Sequence, residues 1–361
     1  MWRHACTPPD GMIVSVGEAD YQVPRLDFEL SSGCDHRCGH CYNVWNASPG
    51  DPQFGYKPGR PLSTQGLKAL MEKAVRQSGA EYLCLTGGEP LLRADALEIV
   101  RHACALVPTV QLITNGSHVP METARALKAA GLRQVQLTLL AGTRELHDRL
   151  KGATCFDDTL RAALNLKEAG VSVQVCFVAM HANAGELAAV MELCCALGVR
   201  SLSYNRMSPT GGAVHGVEAL MPSVEEIEAD LEVMERLGPR FGIRVGTAMP
   251  LLPCLFSLER YPHIQFGFCS TGTPSPNVVI DPAGNLRSCN LSSKVMGNLV
   301  QSDWAELMQN PYPREFRSNV PDICRGCAYE HSCQGGCKES AFAVYGDHRH
   351  PEPLLARSMA G

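Results

Sequence analysis

Cys34-Asp35-His36-Arg37-Cys38-Gly39-His40-Cys41 places three cysteines within eight residues, spaced C-x3-C-x2-C. Structural zinc sites take four ligands, usually from paired C-x2-C knuckles, and here no fourth Cys or His follows at zinc-finger spacing. Three thiolates in one tight loop could each ligate one iron of a cubane and leave the fourth iron without a protein ligand. An open iron can bind and activate a small molecule, as open positions do in catalytic metal centres. The preceding Arg25-Leu26-Asp27-Phe28-Glu29-Leu30 alternates as a strand does and delivers Cys34 at its C-terminal end.

Composition narrows what surrounds this loop. The 361 residues suffice for two domains, or one large barrel with an appendage. Hydrophobic residues at 45% and charged residues at 19% support a sizeable core and argue against wholesale disorder. A net charge of −5 without a basic block argues against nucleic acid as partner. No apolar run reaches roughly 18 residues, and Met1-Trp2-Arg3-His4-Ala5-Cys6 lacks a signal-peptide core, so the expectation is a cytoplasmic protein without a membrane partner. In a reducing compartment, 17 cysteines are not a disulfide framework, and clustered ones point to metal.

Residues 1–24 read as an irregular lead-in with one short strand around 12–16 and no room for a peptide-binding domain. Strands then alternate with helices. A helix from Ser63 or Thr64 to Gln77 precedes a strand over 81–86, which ends at Gly87-Gly88-Glu89-Pro90. Further strands are expected at 110–114, 135–139, 171–178 and 199–206, with helices at 94–105, 120–130, 157–169, 184–196 and 222–237. Six βα units predict an open partial (β/α)6 TIM-like barrel over residues 25–247, of α/β class with a parallel sheet. From about Met249 the alternation stops and cysteines return among Gly and Pro, which marks residues 248–361 as a second domain. Tyr204, Asn205 and Arg206 end the sixth strand and are candidates to face substrate at the barrel mouth.

C-x3-C-x2-C after a strand resembles the signature of the radical S-adenosylmethionine (SAM) enzymes. The resemblance implies that Cys34, Cys38 and Cys41 hold a 4Fe-4S cluster whose open iron chelates SAM. Reductive cleavage of SAM would then give a 5'-deoxyadenosyl radical that abstracts hydrogen from substrate. One βα unit later, Gly87-Gly88-Glu89-Pro90 resembles the family's GGEP turn, which holds the SAM amino group. Thr114-Asn115-Gly116 is similar to the third-strand turn beside the SAM ribose. Thr138 and Arg149 resemble the hydroxyl and guanidinium that meet the SAM carboxylate, and the backbone of His40 and Tyr42 would approach the adenine. The chain departs from the commoner Ser-Leu-Asp-Gly turn, reading Thr138-Leu139-Leu140-Ala141-Gly142.

The second domain resembles the SPASM extension. Cys269 is followed by Gly284 and, after four residues, Cys289, and later comes Cys324-x2-Cys327-x5-Cys333-x3-Cys337. The resemblance implies two auxiliary 4Fe-4S clusters, one on Cys269, Cys289 and Cys337 with Cys254 as fourth ligand, the other on Cys324, Cys327 and Cys333. The family's last cysteine is missing, because none follows Cys337. Asp347, His348 and His350, or an open iron, are the candidates to complete the second cluster.

The resemblance implies a radical SAM oxidoreductase that matures a ribosomally made peptide by an intramolecular C–C or C–X (thioether or ether) cross-link. The implied partners are a peptide substrate, a separate peptide-recognition protein, and an electron donor such as ferredoxin or flavodoxin. Oxidation or epimerisation of a small natural-product intermediate is the alternative. Sulfatase-type formylglycine maturation is a further one, against which Asn290 stands where those enzymes place a base Asp.

Overall fold

The computed structural model describes residues 25–274 and 276–360, together with the backbone of 14–16 and 19–21. Strands β1 (Val14–Val16) and β2 (Ala19–Tyr21) pair as a short antiparallel ribbon. The barrel sheet begins with β3 (Arg25–Ser31) and continues through β4 (Tyr82–Gly87), β5 (Thr109–Thr114), β6 (Gln134–Thr138), β7 (Ser172–Ala179) and β8 (Ser201–Arg206). Each is parallel to the one before it. Successive parallel strands need helical crossovers, and the intervening segments supply them. These are α1 (Thr64–Ser78), α2 (Ala96–Leu106), α3 (Met121–Ala129), α4 (Arg144–Lys151), α5 (Phe156–Glu168) and α6 (Leu187–Leu197), followed by α7 (Val217–Leu220) and α8 (Val224–Phe241).

Local chemistry explains the boundaries. The Ser63 side chain accepts the Gly66 N–H at the start of α1, and Gly79 ends the helix in the left-handed region at φ 69°. Leu67, Leu70, Met71 and Ala74 then face the sheet at helical spacing, each buried large side chain contributing about 2 kcal/mol. The interior of β3 is buried on both faces, as a covered parallel strand must be.

Two features exceed the six-unit expectation. The sheet continues past β8 with the parallel strands β9 (Arg244–Thr247) and β10 (Ile264–Phe266). On the opposite edge, β11 (Val278–Ile280) lies parallel to β3 and leads into the antiparallel strands β12 (Asn285–Arg287) and β13 (Val295–Asn298). The strand order therefore runs β10-β9-β8-β7-β6-β5-β4-β3-β11-β12-β13, an open sheet with cysteine-rich sequence at both ends. These added strands are three or four residues long, too short for alternation to be legible. Helix α4 was likewise not expected. Its sequence is mostly charged, and its apolar signal is reduced to Leu146 and Leu150 one turn apart.

A buried ion pair binds the C-terminal strands to the barrel. The Arg287 guanidinium donates to Glu29 on β3 and to the Ser292 carbonyl at 2.6 Å, and it lies 4.8 Å from the Tyr56 ring centre. Tyr56 in turn donates to Asp281 at 2.8 Å. Helices α9 (Trp304–Met308), α10 (Tyr312–Ser318), α11 (Glu330–Cys333), α12 (Lys338–Tyr345) and α13 (Pro353–Ala360) complete the C-terminal region. Among the described residues, no helix is long and apolar enough to cross a membrane.

Candidate functional site

The three-cysteine loop leaves β3 and is fastened at both ends of its span. The β4 turn holds its start: Gly88 N donates to Ser31 O at 2.7 Å and Glu89 N to Gly33 O at 2.8 Å. A Cβ on Gly88 would lie 2.1 Å from Gly33 O, and one on Gly87, at φ 134°, 2.4 Å from Ser31 O. Only glycine permits this approach. The loop's far end rests on residues 210–213, where Ala213 N donates to Cys41 O at 3.2 Å and the Thr210 hydroxyl to Tyr42 O at 3.2 Å.

A polar network links the loop to the next strand end. Glu89 is fully buried, and its Oε1 accepts from Leu91 N and the Thr114 hydroxyl at 2.9 and 2.7 Å. Its Oε2 accepts Asn115 N at 2.7 Å. Asn115 Nδ2 donates to Asp35 Oδ1 at 2.7 Å, and His118 Nε2 lies 2.7 Å from Asp35 Oδ2. Partial burial opposes ionisation of Asp35, yet the bonds from His118 and Asn115 hold its carboxyl below the usual range. Thus Asp35, between two of the cysteines, is clamped to the turn at Thr114-Asn115. Burial pushes the Glu89 carboxyl up, while its bonds from Asn115, Leu91 and Thr114 pull the other way.

The chemistry of the thiols fits a cluster. Burial raises the Cys34, Cys38 and Cys41 thiols, and each also feels another: Cys38 acts on Cys34, Cys41 on Cys38, and Cys34 on Cys41. The three thiols are therefore close enough to influence one another's charge. No three of these sulfurs lie within 4.8 Å of one another; among the described residues only His147, Asp148 and Cys155 form so tight a group. A single tetrahedral zinc needs that closeness, whereas a cubane separates its thiolates further.

Lys151, at the end of α4, is a neighbour that the sequence did not single out. It is only 4% exposed, its carbonyl accepts Arg37 N at 3.2 Å, and its charge favours the thiolate forms of Cys38 and Cys41. Arg149, the sequence candidate, is exposed on the same helix and has no ion pair or hydrogen-bonded side chain among the described residues. Thr138 is half-buried at the end of β6. Leu140, where the commoner turn carries Asp, packs with Leu150, Met180, Met207 and Ala213, so an apolar cluster replaces the acid. His40 and Tyr42 are half-buried beside the cysteines. Burial, then Lys151, lowers the His40 ring to about 3, and burial pushes the Tyr42 phenol up.

Tyr204 and Arg206 do not face the barrel mouth. Tyr204 is buried and donates to Asp230 on α8 at 3.1 Å, while Arg206 is buried against Pro250 and Glu352. Alternation turns these two side chains outward and leaves Asn205 on the other face, where its Oδ1 accepts the N–H groups of Ala248 and Met249 at 3.1 Å.

The C-terminal cysteines fall into two neighbourhoods. Burial raises Cys289, which also feels Glu339, Cys337 and Cys269. Burial raises Cys324 and Cys333 too, and both feel Cys254, while Cys254 itself feels Cys327. Asp347 is exposed and its carboxylate accepts Arg349 N at 2.9 Å. His348 stacks on Phe342 at 4.5 Å and His350 on Tyr345 at 3.7 Å.

Comparison with known proteins agrees with this geometry. Residues 28–194 match the model of the radical SAM superfamily, and residues 269–328 match that of the SPASM iron-sulfur cluster-binding domain. An AdoMet-dependent heme synthase of Oleidesulfovibrio alaskensis is 26% identical over 91% of this chain and 86% of its own length. The mycofactocin maturase MftC of Mycolicibacterium smegmatis is 27% identical over 88% of this chain and 78% of its own. The crystal structure of Streptococcus suis SuiB bound to S-adenosylmethionine superposes with a TM-score of 0.72 at 16% identity, over 93% of this chain and 78% of that one. The first match spans the three-cysteine loop and the second begins at Cys269, and the chain is an enzyme that carries a radical SAM domain followed by a SPASM domain.

Proposed function

We propose that the enzyme matures a peptide, forming an intramolecular C–C or C–X cross-link. The observation that carries this reading is the likeness to the mycofactocin maturase, which runs through barrel and SPASM domain alike. The cofactors are 4Fe-4S clusters and SAM, which together supply a 5'-deoxyadenosyl radical for hydrogen abstraction.

The chain's own residues would then act as follows. Cys34, Cys38 and Cys41 hold the SAM-binding cluster. Gly87, Gly88, Glu89 and Pro90 set the position of that loop and, with Thr114, Asn115, Thr138, Arg149, His40 and Tyr42, border the SAM site. Glu89 acts chiefly by holding Thr114 and Asn115 in place, since its oxygens already accept three protein hydrogen bonds. Lys151 adds a positive charge beside the thiolates. The barrel has to orient one substrate C–H bond and keep water away from it. Residues 25–247 would form the catalytic barrel and 248–361 the auxiliary-cluster domain. An electron donor such as ferredoxin or flavodoxin and a separate peptide-recognition protein complete the reading.

The test is anaerobic incubation of the reconstituted enzyme with SAM, reductant and a short peptide encoded beside it. The expected products are 5'-deoxyadenosine and a peptide lighter by two hydrogens. The likeness to a heme synthase favours a second reading, oxidation of a small molecule. SAM turnover that consumes a porphyrin and leaves peptides unchanged would replace the first reading with the second.

A further inference from the structure

We propose that the free carboxamide of Gln136 reads the substrate peptide through its main chain, inside a barrel whose strands present neutral hydrogen-bonding groups and no unpaired charge. The proposal rests on the peptide reading above and names the residue that recognises such a substrate.

The barrel strands are sorted by face. Along β4 to β8, Leu83, Leu85, Leu112, Leu137, Val175 and Leu202 join the core shared with the crossover helices. Alternation turns the residues between them to the opposite, inner face. Parallel register sets these side by side: Gln136 between Ile113 and Gln174, Thr138 beside Cys176, and Cys176 beside Ser203. Ile113 and Val178 apart, this face carries amides, hydroxyls and thiols.

The charged residues on the same face of β3 are already paired. Asp27 bonds Arg25 at 2.6 Å, and Glu29 bonds Arg287 in the interior. A molecule held by its carboxylates needs fixed cations, and the inner face of β3 to β8 has none free.

Most amides on this face are engaged as well. The Tyr82 hydroxyl donates to Gln111 Oε1 at 2.8 Å, Gln111 Nε2 to Gln174 Oε1 at 3.0 Å, and Gln174 Nε2 to Ser201 Oγ at 3.1 Å. Both ends of Gln111 and Gln174 are therefore occupied, and the bonds form a floor across the barrel. Asn205 is occupied too: its Oδ1 accepts Ala248 N and Met249 N, and its Nδ2 donates to Cys176 Sγ at 3.3 Å. The Gln111–Gln174 bond crosses β6 between Gln134, level with Gln111, and Gln136, level with Gln174. Gln134 thus lies on the outer side of the floor and Gln136 on the side of the strand ends. Gln136 is half-buried and has no hydrogen bond or ion pair among the described residues. Two residues on, about 7 Å along the strand, Thr138 ends β6 at the border of the proposed SAM site.

A carboxamide presents an acceptor oxygen and an NH2 donor, and a main-chain peptide group has the matching N–H and C=O. A substrate without that pair would leave the Gln136 amide unsatisfied once water is expelled, which discriminates against it.

The test measures turnover of the short peptide encoded beside the enzyme by the reconstituted full chain, as wild type, Gln136→Leu and the near-isosteric Gln136→Met. Both substitutions should raise KM for the peptide about tenfold, with a smaller change in kcat. Copies of the peptide N-methylated at one position at a time give the second readout. One N-methyl group should raise KM about tenfold in the wild type and add little in Gln136→Leu, which has already lost the bond. Equal KM values in all three proteins would overturn the proposal and leave the peptide reading intact. N-methyl effects that match between Gln136→Leu and wild type at every position would do the same. A wild type that leaves the peptide unmodified and consumes a porphyrin would overturn both. Should Gln136→Leu not fold, Gln136→Met carries both comparisons.

Discussion

The two cysteine regions are built on different principles. In the barrel, all three thiolates come from one eight-residue loop, and neighbouring strand ends only brace it. Gly88 and Glu89 hold its start, and Asn115 and His118 hold Asp35 in its middle. In the C-terminal region the cysteines come from loops far apart in sequence, and Glu352, paired in the interior with Arg206 of the barrel strand β8, holds the backbone of Cys337. A contiguous site tolerates distant changes, whereas an interleaved one depends on whatever holds its loops together.

That contrast can be broken at several points. Replacing Cys34, Cys38 and Cys41 by Ala should abolish formation of 5'-deoxyadenosine from SAM and remove about four irons while the auxiliary ones remain; iron analysis with product quantification checks both. Arg206→Met should cost about 3–5 kcal/mol, because it leaves Glu352 charged and unpaired in the interior. Thermal unfolding would show it, and the auxiliary EPR signals should change with the SAM-binding cluster still present. Gly88→Ala should cost about 3 kcal/mol, since the new Cβ meets the Gly33 carbonyl. Its signature is the reverse: weakened SAM binding by calorimetry, with the auxiliary spectra retained.

A smaller effect comes from pH. Burial, reinforced by Lys151, lowers His147 to about 3, and its Nδ1 accepts Leu140 N in the neutral form. Below the ordinary histidine value near 6.5 the unfolded chain binds a proton that the folded chain refuses, so stability falls as pH drops toward 3. The slope is about 1.4 kcal/mol per pH unit at most. Anaerobic melts between pH 7 and 5 should fall less steeply in His147→Gln than in the wild type.

Much of this was legible in the sequence, for reasons visible in particular residues. The C-x3-C-x2-C loop, the turn at Gly87-Gly88-Glu89-Pro90 and the strand-helix alternation are local signals, and each stands where the spacing put it. Lys151 was missed because nothing in the charged run 144–151 separates it from Arg149; only the packing of α4 decides which of the two is buried. Tyr204 and Arg206 were misdirected by one residue of strand parity, since a strand end presents alternate side chains to opposite faces. The short strands β9, β10 and β11 carry too few residues for periodicity. The burial of Arg206 against Glu352 joins residues 146 apart in sequence, a tertiary contact that spacing alone does not encode.

The most direct test of the account is to reconstitute the wild-type chain anaerobically and measure its iron together with 5'-deoxyadenosine released from SAM on reduction. About twelve irons per chain with SAM-dependent 5'-deoxyadenosine, the latter lost when Cys34, Cys38 and Cys41 become Ala, is the predicted result. Stoichiometric zinc in place of iron, or no 5'-deoxyadenosine from a chain with its full iron content, would contradict it.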